Sequence, residues 1–171
     1  MLLPTLANAA PDFNGRWVLN SGSSDPNPYP YYWLARPTPG EGGPRRFQFF
    51  MTVSQNGDTM KVTDIERPIR HYILDGKPHV RPTDTTLEKA TVTADVQGSD
   101  LEIDTTEPYS GMAGNVTLKE KEVWSLSSDG KTLTVTITRD TPARQETLKE
   151  VYDRAQGDAT TICSDGCITV Q

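Results

Sequence analysis

Apolar and polar residues alternate with a period of two along most of this chain, and the alternation is repeatedly cut by glycine turns. That pattern leaves few options, because a period of two is a half-buried strand and not a helix. Met51 and Val53 continue the parity of Phe47 and Phe49 up to Asn56-Gly57-Asp58, and Met60 and Val62 resume it beyond. An Asn-Gly pair between two such runs is a strong short-range signal for a hairpin. The same grammar recurs at Asp75-Gly76-Lys77, at Gly98 between Val92-Ala94-Val96 and Leu101-Ile103, and at Ser128-Asp129-Gly130. Leu133, Val135 and Ile137 then alternate with Thr132, Thr134, Thr136 and Thr138, and a last segment from about Arg144 to Arg154 carries Leu148 and Tyr152 on one face. Threonine takes the outward parity, where a β-branched polar side chain suits a solvated strand face.

The segments are consecutive and joined by short turns, which predicts an up-and-down antiparallel meander of about eight to ten strands with no substantial helix. A single open sheet of that size would leave two bare edges, so closure into a barrel is expected, with a sandwich as the alternative. Lys119-Glu120-Lys121-Glu122 weakens the alternation and is read as a solvated edge or face.

Three segments lie outside the meander, which with its first strand spans residues 11–154. Residues 1–10 end in Ala7-Asn8-Ala9 after Leu2, Leu3 and Leu6, the pattern of a signal-peptide cleavage site or else a flexible N-terminus; export to a periplasmic or extracellular location is the expectation. Residues 21–45 are rich in proline and glycine and contain Tyr29-Pro30-Tyr31-Tyr32-Trp33. A connection this long in a small domain is usually functional or disordered, and four aromatic side chains favour function. Residues 155–171 hold Cys163 and Cys167 around Ser164-Asp165-Gly166. In an oxidising compartment these cysteines are expected to close a local disulfide ring.

The first strand reads Asp12-Phe13-Asn14-Gly15-Arg16-Trp17-Val18-Leu19 and the last closes with Tyr152-Asp153-Arg154. Over roughly residues 12–154 the chain resembles the lipocalins and the wider calycin group, and secreted bacterial lipocalin-like domains that open with Gly-x-Trp and close with Tyr-Asp-Arg. The resemblance implies an eight-stranded barrel that binds apolar small molecules, with the long first loop as a lid over the open end. It also implies structural roles for Gly15, Trp17 and Arg154: a tight bend, a plug at the closed end, and a cation lying across that plug. The chain departs from the lipocalin pattern in its middle motif, where only Thr106-Glu107-Pro108-Tyr109 stands. No amphipathic helix follows its last strand.

Chemistry finds little purchase. With 17 basic and 23 acidic residues among 171, the net charge of −6 argues against nucleic acid, whose binding rests on neutralising phosphates. No Gly-x-Ser-x-Gly elbow is present. Two histidines and two cysteines are too few for a triad or a metal centre at a recognisable spacing, and no motif points to a cofactor. A non-enzymatic protein is the reading, with a barrel isomerase or cyclase as the enzymatic form left open.

Two roles then compete. In the first, an apolar small molecule is bound at the barrel mouth by Tyr29, Tyr31, Tyr32 and Trp33, with Phe47, Phe49 and Met51 as walls. In the second, the aromatic loop docks the chain, as an accessory subunit, on a larger extracytoplasmic or membrane assembly. Arg67, Arg70, His71, His79 and Arg81 flank the Asp75-Gly76 turn and are expected to face one another across a hairpin, as an anion or docking patch or as a solvated balance to nearby acids. The interior separates the roles: a ligand cavity wants small and polar inward residues, a filled core wants large ones at every level.

Overall fold

Three of the four glycine turns join paired neighbours, and one does not. The computed structural model describes residues 11–26, 50–64, 69–82, 89–111, 114–140 and 144–155. These form ten antiparallel strands: β1 Gly15–Leu19, β2 Phe50–Asn56, β3 Thr59–Asp64, β4 Arg70–Ile73, β5 Pro78–Pro82, β6 Lys89–Gln97, β7 Asp100–Gly111, β8 Gly114–Leu126, β9 Thr132–Asp140 and β10 Gln145–Arg154. The described residues contain no helix, as the period of two requires. The strand order is β4-β3-β2-β1-β10-β9-β8-β7-β6-β5, a meander in which the first strand pairs with the last.

The exception is the Asp75-Gly76-Lys77 turn. It links β4 and β5, the two ends of the sheet, which are not hydrogen-bonded to each other. The turn itself bonds outward, Leu74 N–H to Asp58 O at 2.7 Å and Gly76 N–H to Ala94 O at 3.0 Å, so the two ends of the sheet come together there. The result is a nearly closed barrel with a seam between β4 and β5. It has ten strands where the lipocalin resemblance implies eight. Barrel diameter grows with strand number, so this lumen is wider than one that side chains readily fill.

The lower lumen is nonetheless packed. Phe13, Trp17, Val62, Leu101, Ile103 and Leu133 are fully buried, with Trp124, Met60, Val53, Val135 and Ile137 almost so. Every one of the strand residues among these sits on the inward parity. Register ties them into layers: Trp17 opposite Met51, Val53 opposite Val62, Leu101 opposite Trp124, Trp124 opposite Val135. The Phe13 and Trp124 rings meet edge to face at 6.1 Å, and the Trp17 indole N–H donates to Phe13 O at 2.9 Å.

The closed end is locked by Arg154, as the resemblance implies. Its guanidinium lies 4.3 Å from the centroid of the Trp17 ring. Its Nε donates to Gly130 O at 2.7 Å, one terminal nitrogen to Asn14 O at 2.6 Å and the other to Asp12 O at 3.0 Å. Gly15 adopts φ of 128°, and a Cβ there would stand 3.3 Å from the Arg154 guanidinium. Both the bend and the close approach therefore require glycine.

Candidate functional site

The open end of the barrel is where the interior changes character. On the inward parity of β8, Leu126 and Trp124 give way to Glu122 and Glu120. On β9, Leu133, Val135 and Ile137 give way to Arg139. On β10, Tyr152 gives way to Glu150, Leu148 and Glu146. Thr105 and Glu107 continue the same change on β7. Register stacks these groups side by side, Glu120 opposite Arg139 and Arg139 opposite Glu146, so opposite charges meet on adjacent strands. The Arg139 Nε donates to the Glu120 carboxylate, and Arg144 reaches Glu146 at 2.9 Å. Tyr152 donates its phenolic O–H to Glu150 at 2.7 Å.

At the foot of this polar mouth an ion pair joins β4 to β8 inside the barrel. Arg70 on β4 and Glu122 on β8 meet at 3.4 Å, with side chains only 9% and 5% exposed. The Trp124 indole N–H donates to the second Glu122 oxygen at 2.8 Å, and the Tyr72 hydroxyl lies 3.4 Å from the same Arg70 nitrogen. Exposure then rises toward the rim, to 20% for the Arg139 side chain and 25% for Glu120. The Arg70–Glu122 pair is thus more deeply buried than the Arg139–Glu120 pair nearer the rim.

This arrangement corrects two expectations. Glu120 and Glu122, read as members of a solvated run, point into the barrel. A Lys-Glu-Lys-Glu sequence keeps strict period-two alternation of sign, and the strand turns both acids inward and both lysines outward. Lys121, on the outer face, pairs at 2.7 Å with Glu102, whose hydrogen bond holds the ammonium above its ordinary pKa. The basic stretches around the Asp75-Gly76 turn are likewise not one hairpin patch, because the seam separates their strands. Arg70 is buried, His71 is exposed, and Arg81 and His79 lie beyond the seam on β5. His79 pairs instead with Asp75 at 2.9 Å, and this contact, with the Lys77 backbone N–H, keeps the Asp75 carboxyl below its ordinary pKa.

Of the expected wall residues, Met51 is 3% exposed and belongs to the packed core. Tyr29, Tyr31, Tyr32, Trp33, Phe47, Phe49, Arg67, Cys163 and Cys167 lie outside the described residues. The points from which the long connection leaves and returns are nevertheless placed. Asp25 N–H donates to Lys149 O at 2.8 Å, the Lys149 N–H donates to the Asp25 carboxylate at 2.8 Å, and Val151 N–H donates to the Ser24 hydroxyl at 2.9 Å. The chain is thus strapped along β10 beside Leu148 before it departs, and it re-enters at Phe50 at the open end of β2.

Among the described residues no cluster of His, Cys, Asp and Glu is arranged to hold a metal ion. No helix among them is long and apolar enough to cross a membrane. A groove of about 560 Å³ runs outside the closed end, past Asp12, Ser99 and Ser127 to Lys131. Its only guanidinium, Arg154, already donates to three backbone carbonyls.

No protein-family model matches the sequence, and no curated protein sequence does. Among solved structures, the chain is similar to the zebrafish ileal bile acid-binding protein complexed with cholic acid. The TM-score is 0.51 at 19% identity, covering 84% of this chain and 98% of that one. It is also similar to a secretory abundant heat soluble protein of Ramazzottius varieornatus, with a TM-score of 0.54 at 12% identity over 86% of this chain and 98% of the other. At these identities the likeness is one of fold, that of an antiparallel barrel.

Proposed function

We propose that this protein is a non-enzymatic, extracytoplasmic binding protein that takes an amphipathic small molecule at the open end of its barrel. The observation that carries the reading is the divided interior. A packed apolar floor lies below, and partly exposed Glu107, Glu120, Arg139 and Glu146 line the inner wall toward the open end, while Glu150 stands one layer deeper, opposite Val135. A purely structural barrel has no need to keep charges on its inner wall, since each inward charge must be partnered to offset its desolvation. The fold shared with a bile acid-binding protein supports the same reading. Tyr29, Tyr31, Tyr32 and Trp33 are the candidates for the apolar side of the site, since the described residues on either side of their segment, Asp25 and Phe50, stand at the open end. The extracytoplasmic part of the proposal is supported by the Ala7-Asn8-Ala9 pattern after Leu2, Leu3 and Leu6.

Fluorescence titration with bile acids and other small amphiphiles tests the proposal. The Tyr32→Ala/Trp33→Ala variant is expected to bind about tenfold more weakly, a loss of about 1.4 kcal/mol, with little change in melting temperature. A sharp fall in melting temperature with binding intact would assign those rings to the core.

A second reading, an accessory subunit docking on a larger assembly, is favoured by one observation. The exposed large apolar side chains among the described residues, Ile69, Ile73 and Val80, all lie along the seam. Native mass spectrometry of protein taken from its source separates the readings by a retained small molecule or a stable partner.

A further inference from the structure

We propose that the Arg70–Glu122 pair is a specificity-determining barrier: it keeps apolar chains out of the lower barrel and confines a bound molecule to the polar mouth. The inference rests on the binding reading above and names what that site selects, a compact amphiphile held by its polar end, as against a long apolar chain threaded into the lumen.

Position is the first argument. Arg70 comes from β4 at one end of the sheet, which packs beside β6 across the seam, and Glu122 from β8, so β6 and β7 lie between them on the wall. Their contact therefore runs through the lumen and not along a wall. Rigidity is the second. Glu122 is held from below by the Trp124 indole, and Arg70 contacts the Tyr72 hydroxyl, so neither side chain swings aside without losing a hydrogen bond made in a buried setting. Chemistry is the third. An alkyl chain pushed past the pair would separate two buried opposite charges, and its methylene groups cannot replace the contact that is lost. A polar end group meets Glu120, Arg139 and Glu146 instead.

The space above the barrier is short. Glu122 and Glu120 are successive inward residues of β8, so the polar layer lies about 7 Å along the strand from the barrier. Ile103 and Ile137, opposite Glu122 on the neighbouring strands, and Trp124, one inward position deeper, are 0–2% exposed. Seen from the open end, Glu122 therefore stands in front of Trp124, flanked by two buried isoleucines.

The test compares straight-chain alkyl sulfates and alkyltrimethylammonium ions of increasing length, all below micellar concentration, by displacement of bound anilinonaphthalene sulfonate. In the wild-type protein affinity should rise little as the chain grows, because the added methylenes stay outside the lumen. In the Arg70→Ala/Glu122→Ala variant the lumen opens, and affinity should climb by about fourfold per methylene, the full value of burying one. If the double alanine variant does not fold, Arg70→Met/Glu122→Ala keeps more of the packing at β4 and leaves no buried charge; it should show the same steep dependence. A pair that is only structural would lower the melting temperature and leave the length dependence as in the wild type. That outcome in a folded variant, or a steep dependence already present in the wild type, overturns the barrier. Saturable binding in neither protein overturns the binding reading itself and the barrier with it.

Discussion

Replacing Arg154 by alanine is the sharpest test of how the closed end is held. The guanidinium makes three hydrogen bonds to backbone carbonyls of Gly130, Asn14 and Asp12, at 2.7, 2.6 and 3.0 Å, and lies 4.3 Å from the Trp17 ring centroid. A hydrogen bond to a charged group contributes roughly 1.5–3 kcal/mol when buried. Here the carbonyls are only partly buried and water can replace the donor, so about 1 kcal/mol each is the fitting scale. The cation–π contact adds on the order of 1 kcal/mol. Allowing for coupling among contacts of one side chain, Arg154→Ala should cost about 3 kcal/mol. With an m-value of about 2 kcal/mol per molar urea, the unfolding midpoint followed by circular dichroism falls by about 1.5 M. Arg154→Lys should recover about a third of the loss, since one ammonium cannot fork to three acceptors. Added salt should leave the difference in place, because the partners are carbonyls and a ring and not ions. A loss below about 1 kcal/mol for the alanine variant would mean that the first and last strands close the barrel without this side chain.

Trp17→Ala should cost about 3–5 kcal/mol by urea denaturation, as large aromatic truncations in packed cores do; a loss near zero would place Trp17 outside the core. Arg70→Met alone strands the Glu122 carboxylate in a buried setting and should cost about 3–5 kcal/mol, while Arg70→Met/Glu122→Leu should return close to wild-type stability. Equal losses in the single and double variants would show that the pair is not coupled. Asp75 has its folded pKa held below the ordinary 3.8 by His79 and the Lys77 backbone N–H. Its contribution is therefore present above the unfolded pKa and lost as pH falls through the folded one. The stability difference between wild type and Asp75→Asn should shrink in acid, starting near the ordinary 3.8 and disappearing once pH is below the lower folded pKa; a difference unchanged through the acid range contradicts the assignment.

Strand identity and strand order were legible in the chain itself. Alternation of Leu133, Val135 and Ile137 with threonines admits only a half-buried strand, and turns such as Asn56-Gly57 and Asp129-Gly130 admit only tight reversals, because glycine alone takes their positive φ at no cost. Gly15, Trp17 and Arg154 were singled out differently, through the resemblance of the first and last strands to lipocalins, which implies the bend, the plug and the cation across it. Two things needed the tertiary structure. The Asp75-Gly76-Lys77 turn has the same local sequence character as the hairpin turns, yet it spans the seam; whether two strands across a turn pair depends on where the rest of the sheet places their edges. The inner wall was hidden for a related reason. Glu120 and Glu122 look like surface residues beside their chain neighbours, since the usual penalty for an inward charge argues against burying them. That penalty is offset in part by Arg139 and Arg70, which arrive from β9 and β4, and such compensation exists only once the barrel has brought those strands around the same lumen.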